Sequence, residues 1–349
     1  MTGTDKSKRI CIIVILAIAM VFASAGCAGR TDDKKLTVKV LILPKFEIGE
    51  ITGDFPGEAQ YYYDGYLAGG EVFDIGGGAG QNKLYYKEGV AMVLLGQGKV
   101  NAALHTAAVL SDERFDFSEA YILCVGCGGV AKGYGTFGDV FVISAAVDLD
   151  LGHHADAREI KDKEGTTWFH DESYDDIAVV HLDRSLTDRV YEMVKDVHLE
   201  TTEKTLRFLR KEYPGEAWAE RQPQVMRGTS VTSDSYWKGR YDHLNALLAT
   251  ETYGCRDPYA ITEMEDIAAA QAVKSYGALD RLIILRTGVN IDVFPSDLTP
   301  EMLWGGDTDD HVASDDSLES VDIFETAMKN CFNVGKVLID SILNGTMKR

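Results

Sequence analysis

TEMEDIAAAQAVKSYGALDRLIILRTGVN, residues 262–290, carries an amphipathic helix and an apolar strand in direct succession. Thr-Glu-Met-Glu-Asp (262–266) stands between a loop, Thr252–Pro258, and an Ala-rich amphipathic helix, Ile267–Val273. An apolar strand, Arg281 to Leu285, follows and ends in Arg286-Thr287-Gly288-Val289-Asn290. Helix then strand, with polar groups gathered at the strand end, is the α/β arrangement, and such strand ends hold ligands. A carboxylate beside a methionine, then a strand ending in polar groups, suits a grip on a ribose and its base. Glu265 can accept two hydrogen bonds from a vicinal diol, and Asn290 offers a donor and an acceptor to a base edge. The same residues also read as a solvated helix start and an ordinary strand end, and the local pattern leaves both open.

The rest of the chain repeats the alternation. Leu36 to Leu43, Val90 to Leu95, Tyr121 to Val125, Val140 to Val147 and Gln224 to Thr232 read as strands. Val100 to Leu110, two stretches within 184–212, and Ser320 to Leu343 read as helices. Lys45 to Gly57 is a loop, Tyr61 to Tyr66 an aromatic cluster, Asp74 to Asn82 a Gly-rich loop and Asp307 to Asp316 an acidic loop. Strands alternating with helices predict an α/β fold around a largely buried mixed sheet. With no internal repeat and no linker, residues 28–349 read as one domain.

The N-terminus reads as a targeting segment. Lys6, Lys8 and Arg9 precede an apolar run from Ile10 to Ala23, and small residues lead to Cys27. The run is short for a membrane span and has the shape of a signal peptide. Ala-Gly-Cys looks like a bacterial lipobox, so residues 1–27 read as a lipoprotein signal with lipidation at Cys27. The expectation is an extracytoplasmic protein anchored to the cell membrane. The formal charge is -20, and removal of the first 26 residues, with Lys6, Lys8 and Arg9 against Asp5, makes it -22. So acidic a chain is a poor nucleic-acid binder. Cys124 and Cys127 sit in an apolar run and read as buried small residues rather than half of a zinc site. No disulfide framework is indicated.

Two further motifs invite chemistry. Gly96-Gln97-Gly98-Lys99 between strand and helix lacks the third glycine of a dinucleotide fingerprint, since Asn101 stands there. It reads as a tight turn or a close backbone approach to a ligand. His153 and His154 near Asp156 lack further ligands at fixed spacing, so no metal is expected.

GQGKVNAAL (96–104), GCGGVAKGYGTFGDVFVI (126–143), GTSVTSDSYW (228–237), TEMEDIAAA (262–270) and LRTGVNID (285–292) occur in that order. The series resembles the nucleoside phosphorylase and nucleosidase superfamily, including methylthioadenosine nucleosidases. ILPKFEIGEITGDFPGEAQYY (42–62) and DLGHHADAREI (150–160) look like the purine nucleoside permease family, the closer match. The resemblance covers essentially the whole mature chain. It implies a three-layer αβα fold around a mixed, partly barrel-like sheet. It also implies that Glu265 binds the ribose hydroxyls, with Met264 beneath the sugar and Arg286 in the binding site. Tyr236 and Trp237 match side chains lining the base site, and Gly126, Cys127 and Gly128 the backbone near base and ribose. Asn290 falls where nucleosidases carry a catalytic aspartate. An amide has no proton to give, though it can still hydrogen-bond a departing base.

The resulting expectation is purine nucleoside binding and uptake by a surface-tethered lipoprotein. The alternative is an enzyme cleaving the N-glycosidic bond, with Glu265 on the ribose, Asn290 on the base, and Glu47 or Glu50 orienting water. No cofactor is expected, but phosphate is a candidate co-substrate, with Lys45 and Lys99 as its cations. A homo-oligomer is left open. A third reading, a two-lobed solute-binding lipoprotein with another ligand, predicts a hinge that the sequence does not display.

Overall fold

The computed structural model describes residues 34–76, 82–160, 165–295 and 318–347. Residues 1–33, with the expected signal segment and Cys27, residues 77–81 of the Gly-rich stretch and the acidic stretch 307–316 lie outside them. Ten strands form the main sheet: β1 Val40–Leu43, β2 Glu71–Asp74, β3 Lys83–Lys87, β4 Val90–Val93, β5 Tyr121–Val130, β6 Val140–Asp148, β7 Val179–His181, β8 Val225–Thr232, β9 Tyr259–Glu263 and β10 Leu282–Ile291. The principal helices are α1 Lys99–Leu110, α2 Arg184–Val194, α3 Glu203–Glu212, α4 Arg240–Thr252, α5 Asp266–Ser275 and α6 Leu318–Leu343. Side-chain caps set two of the starts: Asp183 accepts the Leu186 N–H at 2.7 Å for α2, and Thr202 the Thr205 N–H at 3.1 Å for α3.

The strand order is β7-β6-β8-β9-β5-β1-β4-β3-β2, and β10 pairs with both β5 and β6. Strands β5, β9, β8, β6 and β10 therefore close a circuit, which makes the sheet partly a barrel. Strands β1, β4, β5 and β10 run parallel, as do β6, β8 and β9. The two sets meet antiparallel where β9 joins β5 and β10 joins β6.

Both faces of the sheet are buried, and side-chain alternation sorts them. Leu41, Leu43, Ile122, Cys124, Leu282 and Ile284 enter one core, which includes Ala102 of α1 and Ile267 of α5. Val40, Ile42, Leu123, Val125, Ile283 and Leu285 enter another, with Val190 of α2 and Leu338 of α6. Helices on both faces of a mixed sheet give the three αβα layers. No helix among the described residues is long and apolar enough to cross a membrane.

Several sequence expectations need correction. The first strand is two, Leu36–Thr37 and Val40–Leu43, because Leu36–Thr37 turns aside to pair with Phe115–Asp116. The glycines at 126–129 do not end β5 but lie inside it. A Cβ on Gly128 would sit 2.3 Å from the Thr262 carbonyl oxygen, so the crossing of β9 requires its absence. Strand β10 likewise runs through Arg286 to Ile291. Helix α4 and strands β2, β3, β7 and β9 were not anticipated. β9 is buried throughout, yet its Thr262 and Glu263 break the apolar pattern.

Candidate functional site

Arg286 organises the polar centre. It is 1% exposed, in β10 beside Gly126 of β5. Its Nε donates to both oxygens of Asp266 at 3.0 Å. Its Nη2 donates to Asp266 Oδ1 at 2.6 Å, Glu263 Oε2 at 2.9 Å and Glu265 Oε2 at 3.1 Å, and its Nη1 to the Cys127 carbonyl at 2.8 Å. The TEMED stretch delivers these carboxylates because β9 ends at Glu263 and α5 begins at Asp266. Glu263 Oε2 accepts the N–H groups of Glu265 and Asp266 at 2.6 and 2.7 Å, and its other oxygen takes the Thr232 hydroxyl. That carboxylate so caps the first turn of α5.

Lys45, also 1% exposed, follows the end of β1. Its ammonium donates to the Val125 carbonyl at 2.9 Å and to Cys124 Sγ at 3.2 Å, 3.6 Å from Asp266 Oδ1. Glu58 bridges the Lys45 and Cys127 N–H groups at 2.7 and 2.8 Å. Two buried cations thus serve four buried carboxylates, Glu58, Glu263, Glu265 and Asp266. The imbalance appears in their proton affinities. Burial pushes Glu58 above the usual carboxylate range, against Lys45 and Arg286. Burial, then the charge of Asp266, pushes Glu263 up to about 7. Burial also opposes ionisation of Asp266, but Arg286 and Lys45 outweigh it and hold that carboxyl low.

The sequence candidates fall into three groups. Glu265, Arg286, Lys45, Gly126 and Cys127 converge in this cluster. Glu265 is 4% exposed, and its Oε1 accepts the Gly98 N–H at 3.0 Å, so the Gly96–Lys99 turn reaches the site. A Cβ on Gly126 would lie 2.6 Å from Glu58 Oε1 and 2.7 Å from Arg286 Nη1.

A second group sits around it. Met264 is half-buried beside Glu265. Gly128 pairs with Gly288, and Asn290 pairs with Gly129, which in turn pairs with Thr262. A Cβ on Gly129 would lie 2.9 Å from Asn290 Nδ2 and 3.0 Å from Thr262 Cγ2, so the Asn290 amide and that methyl flank one glycine. The Asn290 and Met264-Glu265 positions are therefore two strands apart at one end of the sheet. Trp237 is half-buried, and its indole N–H is enclosed with no acceptor among the described residues.

The third group lies outside the cluster, and two of its members, Lys99 and Glu47, are committed to other partners. Lys99 is not a free cation for phosphate. Its ammonium lies 2.8 Å from Asp148 Oδ1, 2.7 Å from Asp150 Oδ2 and 4.0 Å from Asp234 Oδ2. Glu47 accepts the N–H groups of Ile48, Gly57, Ala59 and Gln60, and so anchors its loop to the helical turn Gln60–Tyr62. Glu50 is exposed, and Tyr236 is 68% exposed. A surface cleft of about 580 Å³, lined by Asp175, His181, Tyr253 and Lys274 among others, shares no residue with the cluster.

Sequence reasoning missed Glu58, Glu263, Asp266 and Asp292. Glu263 and Asp266 stood within the quoted stretch, where a carboxylate at each end of a helix start was signal enough. Asp292, fully buried, accepts the Lys132 N–H at 2.9 Å, the Tyr259 hydroxyl at 2.8 Å and pairs with His243 Nδ1 at 2.7 Å. No group of three or more His, Cys, Asp or Glu among the described residues is placed to hold a metal ion.

Known proteins share this architecture. The methylthioadenosine/S-adenosylhomocysteine nucleosidase of Helicobacter pylori, solved with butyl-thio-DADMe-Immucillin-A, superposes with a TM-score of 0.54 at 14% identity, covering 88% of this chain and 100% of that one. That likeness shows the fold alone. A probable purine nucleoside permease of Schizosaccharomyces pombe is 28% identical over 298 residues, 76% of this chain and 80% of the relative. A purine nucleoside permease of Candida albicans is 29% identical over 219 residues, 57% of this chain and 53% of the relative. Residues 37–348 match the family model for purine nucleoside permease (NUP), and the chain therefore belongs to the purine nucleoside permease family.

Proposed function

We propose that the protein binds a purine nucleoside at the Arg286 cluster and serves nucleoside uptake from the membrane surface, held there by a lipid on Cys27. The family match across residues 37–348 carries this reading. Glu265 takes the ribose hydroxyls, with Arg286 and the Gly98 N–H fixing its carboxylate. Each of its oxygens has a second lone pair for a donor. Met264 lies under the sugar, Asn290 meets the base edge, and Tyr236 and Trp237 close over the base. Calorimetry with inosine, guanosine and adenosine tests it. One nucleoside bound per protomer without base release is the expected result, and no binding of any of the three overturns it.

A second reading is motivated by Asn290 and Glu265 lying at the same end of the sheet, with β5 between their strands. In it a carboxylate takes a proton from water as its oxygen attacks the anomeric carbon, the glycosidic bond breaks, and the base leaves with the bonding pair, hydrogen-bonded by Asn290, and then takes up that proton. Glu265 stabilises the cationic ribose. Glu50, exposed and without the backbone donors that occupy Glu47, is the freer of the two to orient water. Because Lys45 and Lys99 are both held by carboxylates, water rather than phosphate suits this reading. Chromatography of the incubation with and without phosphate separates the two co-substrates.

A further inference from the structure

A second charged site lies at the far end of β8. Arg227 precedes Thr232 by five residues, roughly 17 Å along an extended strand. Here three guanidinium groups share one carboxylate. Arg227 Nη1 and Arg256 Nη1 both donate to Asp188 Oδ1, the latter at 2.9 Å. Arg184 Nε stands 3.8 Å from Asp188 Oδ2, and Arg256 Nε reaches Asp257 Oδ2 at 3.3 Å. Three cations against Asp188 and Asp257 leave a local surplus of positive charge on a chain of net charge -20. Arg184 is an exposed neighbour one turn away in α2, so the two close contacts on Asp188 come from Arg227 of β8 and from Arg256 in the segment before β9.

The surroundings add a ligand-sized space. A cleft of about 300 Å³ opens beside Arg227, lined by Tyr134, Tyr191, Gln224, Met226 and Asp257 as well. The Arg227 guanidinium lies 4.5 Å from the Tyr191 ring centroid, and the Tyr134 hydroxyl donates to the Arg227 carbonyl at 2.8 Å. Both the backbone and the charged head of Arg227 are thus fixed. Two guanidinium groups that meet on one carboxylate oxygen are within bridging reach of a second oxyanion, whose oxygens their forked donors match. Aromatic rings next to such a pair accept a flat group attached to that anion.

We propose that Arg227, placed by Tyr191, and Arg256, placed by Asp257, form a binding site for a phosphomonoester carried on a flat aromatic group, by class a nucleoside monophosphate, with Asp188 occupying the anion position between them. The site is separate from the Arg286 cluster and does not rest on the nucleoside reading. The Asp188 carboxylate competes with the incoming anion, so its removal strengthens binding, an effect that a purely structural ion pair does not produce.

Calorimetry on the whole chain with adenosine monophosphate, adenosine and inorganic phosphate at fixed ionic strength tests this. Arg227→Met and Arg256→Met each weaken adenosine monophosphate binding at least tenfold and leave adenosine binding unchanged. Asp188→Asn tightens it several-fold, and this gain of affinity stays interpretable even if an arginine variant folds poorly. Tyr191→Leu weakens the nucleotide but not inorganic phosphate. Nucleotide affinity that is unchanged or weaker in Asp188→Asn overturns the proposal. Inorganic phosphate binding as tightly as the nucleotide, with the same arginine dependence, overturns the aromatic part and leaves a plain phosphate site.

Discussion

Replacing Arg286 with methionine removes the charge while keeping an apolar side chain of similar length. Five hydrogen bonds to three carboxylates go with it. Lys45 is then the single buried cation beside Glu58, Glu263, Glu265 and Asp266. Removing one partner of a buried ion pair costs about 3–5 kcal/mol, out of a total stability of roughly 5–15 kcal/mol. The loss depends on pH, with a definite sign. Glu263 already titrates at about 7 in the folded protein against an ordinary 4.5. Its folded-state contribution is fully present below 4.5 and is lost as pH rises through 7, worth at most about 3 kcal/mol. Without Arg286, which opposes the upward push on both, Glu58 and Glu263 hold protons more tightly still. The variant should therefore lose more stability at pH 8 than at pH 5. Urea unfolding of both proteins at the two pH values measures this, with the slope checked for constancy. A loss below about 1 kcal/mol at pH 8, or one equal at both pH values, would refute the idea that buried charge imbalance dominates this site. Adding Glu263→Gln to the Arg286→Met background should restore part of the stability at pH 8.

Other perturbations address neighbouring groups. Glu265→Ala should weaken nucleoside binding about 10- to 100-fold, since hydrogen bonds to a charged group contribute about 1.5–3 kcal/mol; unchanged affinity in calorimetry removes Glu265 from the ribose. Gly126→Ala puts a methyl against Glu58 and Arg286 and should destabilise by about 1–3 kcal/mol, so an unaltered melting temperature would show that the two charged ends move aside freely. Asn290→Asp supplies a carboxyl that can carry a proton to the base. Base release that appears or accelerates in this variant, followed by chromatography, supports the cleavage reading, and binding without release supports uptake alone.

The legible parts of the fold were the long periodic ones. Helices α1, α5 and α6 and strands β4, β6 and β8 follow from apolar spacing within a few residues of their observed ends. What stayed hidden depends on contacts far apart in sequence. Strand β9 reads as a polar helix approach until Thr232 and Arg286 are seen bonding Glu263 from β8 and β10. The glycines at 126–129 read as a strand end until the crossing of β9 and the heads of Glu58 and Arg286 show why no Cβ fits. Lys45 reads as a cation open to phosphate, because nothing near it in sequence reveals that Cys124 and Asp266, both distant along the chain, enclose it. Lys99 reads as a free cation because Asp148, Asp150 and Asp234 come from two other strand ends.

The composition of the Arg286 cluster separates structure from function. A cluster that existed only to join β9, β10 and α5 would do best with matched charges, because each unmatched buried carboxylate raises the desolvation penalty. Glu263 fits the structural role, with its side-chain bonds directed at Thr232, Arg286 and the start of α5. Glu265 does not. It is the helix N-cap residue, yet its side chain makes no cap bond to α5 and reaches instead to Gly98 and Arg286. On the proposed reading, this carboxylate, held away from its own helix, beside a half-exposed methionine and one strand pairing from the Asn290 glycine contact, takes a donor that comes from outside the chain. The two hydroxyls of a ribose are such a donor pair, which is why the nucleoside reading attaches to Glu265 rather than to the more deeply hydrogen-bonded acids around it.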